Sequence, residues 1–186
     1  MLVLTTWSNF YVLTGSAAGT LTGLTFVAIT LVSGRREGIR REGLNAYTTP
    51  IVVHFAAVLL TAAFLSAPWT ALGPVVVVLG LASLGGLGYS TMVVRRIRGR
   101  FDYQAEWDDW LWYAVLPLSA YTVLLVSAIL LTSHPTPALF VTAAGLMMLL
   151  FIGIRDAWDV VTYVALEVLR QGRTEPDQQA PGDEPA

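Results

Sequence analysis

The chain contains no cysteine and no lysine. The first absence excludes disulfides, thiolate metal sites, iron–sulfur clusters and covalently attached haem. The second leaves arginine to carry all the permanent positive charge, and together with the load of alanine, glycine and valine it points to a GC-rich bacterial genome. Charge of either sign is scarce. Asp, Glu, Lys and Arg make up 13% of the 186 residues, against roughly 25% in a soluble domain, and they are clumped, so long stretches have none. A charge at the bilayer centre costs roughly 2.5–3.5 kcal/mol even on lenient scales, so this thinning is what lipid as a solvent demands. The net charge of −2 gives no basis for a nucleic-acid partner.

Catalytic signatures are also missing. There is no HExxH, no P-loop, no GxSxG, no GxGxxG opening a helix, and no acid–histidine signature of membrane phosphatases or acyltransferases. No catalytic residue, cofactor or metal ligand set is therefore expected, and the chain does not read as an enzyme.

What is present is apolar sequence, 55% of residues, with a mean hydropathy of +0.62. A span needs about 20 apolar residues to cross roughly 30 Å of hydrocarbon. Five stretches qualify: about 10–32, 50–67, 72–94, 110–132 and 137–154. The stretch before Trp7 has no basic residue and the apolar run that follows is long, so the N-terminus reads as an uncleaved first span and not as a signal peptide. Thr49-Pro50 and Thr136-Pro137 each read as an N-cap followed by proline at the first helical position. Pro117, two turns into the fourth span, should kink it.

All 11 basic residues fall in the segments after the first, third and fifth spans, and none in the other two loops. The positive-inside rule then places the N-terminus outside and the C-terminus in the cytoplasm. The six tryptophans fall at span ends, Trp7 and Trp69 outside and Trp107, Trp110, Trp112 and Trp158 inside, where indole prefers the headgroup level. Trp158, Val161, Ala165 and Val168 recur at helical spacing, which extends the fifth helix as an amphipathic arm lying on the membrane or against the bundle. From about Gln171 the Pro, Gln, Asp and Glu content predicts a disordered tail.

The expected fold is thus an all-α integral membrane bundle of about five transmembrane helices, N-out/C-in, in the inner membrane. Residues 1–170 form one transmembrane domain, with the amphipathic extension over 155–170, and residues 171–186 an acidic cytoplasmic tail.

Four features stand out for function. Gly15, Gly19 and Gly23 lie on one face of the first span, where small residues let helix backbones approach closely. They point to a homo-oligomer seam or, more plainly, to packing inside the chain, with the glycine-rich third span around Gly86 as the natural partner. His54 is an ionisable residue inside a span, either functional or simply bonded to a neighbouring helix. Arg155, Asp156 and Asp159 follow the fifth span at a similar height, and Arg155 and Asp159 can pair one turn apart. With His54 they make a candidate gate; the plainer reading is an interfacial ion pair. Glu106, Asp108 and Asp109 precede the fourth span as a candidate acidic vestibule for cations, or more plainly as a helix start favoured by the helix dipole. His54 and His134 belong to different elements on opposite sides of the membrane and make no metal site. The expected function is a small channel or transporter subunit, assembled as a homo-oligomer in the lipid bilayer. The alternative is a non-catalytic accessory or regulatory subunit with a membrane protein partner, and a small enzyme at the cytoplasmic face ranks third.

Overall fold

The computed structural model describes residues 2–33, 41–98 and 110–174. Among them there is no strand. The elements are α1 (Leu2–Thr6), α2 (Ser8–Ser33), α3 (Arg41–Leu65), α4 (Gly73–Arg98), a π-helical turn (Leu111–Val115), α5 (Leu116–Leu130) and α6 (Pro135–Thr174). Four helical stretches are long and apolar enough to cross a membrane: Ser8–Thr30, Gly73–Arg96, Leu111–Leu130 and Pro135–Thr162. The second expected span, about 50–67, corresponds to a shorter apolar stretch, Thr49–Leu65, within α3.

The helices pack in the spatial order α2, α3, α6, α5, α4. Half of the apolar window of α6 is buried, against 17% of that of α2, so α6 is the central helix and α2 a peripheral one. Large apolar side chains such as Leu13, Leu60, Leu81, Ile129 and Phe140 stay exposed, as they do when lipid is the surrounding solvent. Two buried hydroxyls are satisfied within their own helices: Ser83 donates to the Leu79 carbonyl at 2.6 Å and Thr142 to Ala138 at 3.0 Å. Such back-bonding removes the cost of a bare hydroxyl without requiring water.

Aromatic contacts define two ends. The Trp7 ring meets Phe140 edge-on at 4.7 Å, which brings the start of α2 beside the start of α6. At that end the Trp69 indole N–H donates to the Phe64 carbonyl at 2.7 Å. Further toward the other end Phe55, just past the middle of α3, lies against Gly153, midway along α6; a Cβ there would sit 2.6 Å from the ring.

Several expectations are corrected. Pro50 does not start a helix, because α3 begins at Arg41 and runs through it. A buried proline inside a helix of a bundle is tolerated because neighbouring helices, hydroxyls or water take up the freed backbone group. Pro117 does not sit two turns into a regular helix. A π turn precedes it, and it is the second residue of α5. The wider turn re-spaces the backbone so that the ring avoids the preceding carbonyls. Thr136 is not a cap, since α6 already begins at Pro135. The helix also continues past Gln171 to Thr174; residues 175–186 of the expected acidic tail lie outside the described residues. Finally, α2 packs along α3 and touches α6, while the glycine-rich α4 packs along α5, so the third span is not the partner of the first.

Candidate functional site

Two polar sites lie toward the end of the bundle marked by the Phe55–Gly153 contact. The first joins three helices. His54 on α3 is 2% exposed, and its Nδ1 shares a hydrogen bond with the Tyr121 hydroxyl of α5 at 3.1 Å. The Tyr121 ring occupies the space left by the missing side chain of Gly86 on α4, and any Cβ there would collide with it. Tyr89, one turn further along α4, presents its ring edge-on to His54 with centroids 6.5 Å apart. Glycine is therefore needed at position 86 for a close approach between α4 and α5, and that approach is what carries the phenol to the imidazole.

The second site is on α6. Asp156 is 1% exposed, and among the described residues neither carboxyl oxygen has a hydrogen-bond partner. It follows the buried positions Leu149 and Gly153 on one face of the helix. Arg155 and Asp159 form an ion pair across one turn and remain partly exposed. The Arg155 guanidinium also lies 4.5 Å from the centroid of the Trp112 ring, in the π turn, a cation–π contact that anchors the rim. Consecutive residues on a helix do not face each other, so Arg155 points to the rim while Asp156 points inward.

Phe55 rests on Gly153, two residues before Arg155, so His54 and the α6 cluster lie at similar heights. Among the described residues, however, no hydrogen bond or ion pair links His54 to Arg155, Asp156 or Asp159. The expected single gate is thus two neighbouring sites, one closed by Tyr121 and the other left with a bare carboxyl.

The glycines of the first span divide. A Cβ on Gly15 would sit 3.2 Å from that of Ala62, and one on Gly19 would sit 3.7 Å from Leu59 Cδ1, both on α3; Gly23 meets nothing within 4 Å. Gly15 and Gly19 are used for packing inside the chain, so their spacing no longer argues for a seam between copies. Glu106, Asp108 and Asp109 lie outside the described residues. Trp158, 68% exposed, and Val161, also exposed, face away from the bundle, while Ala157 and Val160 pack inward. The arm therefore does not lay its Trp158 face against the bundle. The His134 ring shares a hydrogen bond with its neighbour Ser133, at 3.0 Å, in the α5–α6 turn. Among the described residues no three His, Asp or Glu gather as metal ligands.

Sequence reasoning missed Tyr121, the contact of Trp112 with Arg155, and the Gly145 and Gly153 contacts. Gly145 meets Leu124 of α5 and Gly153 meets Phe55 of α3. Their eight-residue spacing on one helix was a legible packing signal. Nothing in the sequence pairs Tyr121 with His54, 67 positions away. No family model, no curated protein and no solved structure matches this chain.

Proposed function

We propose that this chain is a small multi-pass protein of a bacterial inner membrane and serves as a channel or transporter subunit for protons or small cations. In this reading it crosses five times, N-out/C-in, with Thr49–Leu65 as the second span and both polar sites near the cytoplasmic face. The arginine distribution supports the orientation. The observation that carries the function is the burial of two side chains that can carry charge near neutral pH, His54 and Asp156, in a largely apolar bundle. Such groups are expensive in a membrane and mark ion or proton pathways by default.

The absence of cysteine makes the topology directly testable. A Ser133→Cys variant should react with a membrane-impermeant maleimide added to spheroplasts, whereas Thr174→Cys should react only after permeabilisation. The reverse pattern would overturn the orientation. For function, the purified full chain in liposomes should pass protons or a small cation down an imposed gradient. Flux should fall at least to the protein-free rate in Asp156→Asn. No flux across a broad panel of cations would remove the transport reading.

The second reading is an accessory subunit, favoured by the long α6 arm with its outward Trp158. Recovery of one constant membrane partner in mild detergent, together with absent flux, would select it.

A further inference from the structure

Asp156 is the strongest unresolved group in the molecule. Both of its carboxyl oxygens are sealed from solvent and have no hydrogen-bond donor among the described residues. Among the described residues the cation that acts on Asp156 is Arg155, the preceding residue, which is held by Asp159 and stacked over Trp112. Taking a carboxylate-sized ion out of water into a low-dielectric interior carries a heavy desolvation penalty, which only a partner charge or hydrogen-bond donors can offset. An anion with no partner would not persist there.

Two ligands could neutralise it: a metal cation or a proton. A metal cation needs several oxygen ligands around it. Among the described residues no second acidic or imidazole group joins Asp156 in such a set. A proton needs only the carboxyl itself. Among the described residues, the titratable groups on the elements packed against α6 are His54 on α3, Tyr113 in the π turn, Tyr121 on α5 and Tyr11 on α2. His54 and Tyr121 bond each other, and the Tyr11 hydroxyl makes no hydrogen bond. On α6 itself, Arg155 and Asp159 are the charges that act on Asp156.

We propose that Asp156 is a proton-binding site. Its carboxyl holds one proton while the bundle is closed and releases it only when water reaches the α6 face beyond Gly153. The Arg155–Asp159 pair and Trp112 form the rim through which that water enters. The inference deepens the transport reading and rests on it for its purpose, but the binding can be tested without any flux.

The experiment uses the full chain in liposomes, treated with a hydrophobic carbodiimide, which adds to a protonated carboxyl and scarcely to a carboxylate. Peptide mass mapping should find the adduct on Asp156 and not on Asp159. The yield should fall about tenfold per pH unit once the proton is lost, and Asp156→Asn should abolish it. Infrared difference spectra should show the matching protonated-carboxyl band, present in the wild type and missing in Asp156→Asn. The proposal is overturned if Asp159 takes the label, or if neither the adduct nor the band appears at Asp156 at any pH. A labelled Asp156 in a protein without flux supports the site and removes the transport reading. Flux that survives in Asp156→Asn, with no adduct in the wild type, removes the site and spares the reading.

Discussion

Asp156→Leu is expected to make the bundle harder to unfold while abolishing proton or cation flux. A buried polar group without a partner costs about 1–3 kcal/mol. Leucine is close in size and brings no polar atom to the same position. Replacing an uncompensated buried ionisable group with an apolar one is commonly neutral or stabilising, and here there is no hydrogen bond to lose. The expected gain is therefore ~1–3 kcal/mol, read from reversible unfolding in mixed micelles with flux measured on the same preparation. Stability and activity moving in opposite directions is the mark of a group retained for function at the expense of the fold. A clear loss of stability in Asp156→Leu would mean that the carboxyl has a structural partner, and the argument built on its isolation would fail. Arg155→Ala makes a useful contrast. It removes a partly exposed ion pair and a ring contact, so its effect should be a small loss, since such pairs contribute about 0–1 kcal/mol.

Gly86→Ala should be the most damaging single-methyl change in α4. The added Cβ would fall inside the Tyr121 ring, and the ring cannot move without leaving His54. Overpacking of this kind costs about 1–3 kcal/mol. Stranding a buried imidazole without its hydrogen bond adds a comparable amount. The same substitution at Gly88, two residues along and with nothing within 4 Å, should be neutral or slightly stabilising, because alanine favours helix over glycine by about 1 kcal/mol. Adding Tyr121→Ala to Gly86→Ala should recover much of the overpacking cost. A double-mutant cycle with a coupling of roughly 0.5–3 kcal/mol would establish the contact. Equal effects at Gly86 and Gly88 would show that α4 and α5 do not meet there.

Both predictions depend on contacts that differ in how visible they are from the chain alone. The helical character was legible because lipid imposes one rule on every residue of a span: backbone groups must be satisfied within the segment and charge must be kept out. That rule acts locally, so it leaves its mark in runs of apolar residues and in where arginine and tryptophan fall. The pairing of Arg155 with Asp159 was legible for the same reason, since one helical turn separates them. Pro50 was misread because proline's local preference is for a helix start, and Pro117 because a π turn leaves no mark in the sequence. In the bundle, neighbouring helices stabilise a helix through Pro50, and a π turn accommodates Pro117.

The sequence by itself determined the apolar helices, the placement of charge at their ends and the presence of ionisable residues within reach of the membrane. Which helix faces which was decided only by the tertiary structure, because in lipid no hydrophobic contrast distinguishes an inward face from an outward one. Close packing makes that choice through single glycines. Gly15 seats α2 on α3, Gly153 admits Phe55, and Gly86 admits Tyr121. The last of these contacts gives His54 a partner, and nothing comparable was provided for Asp156.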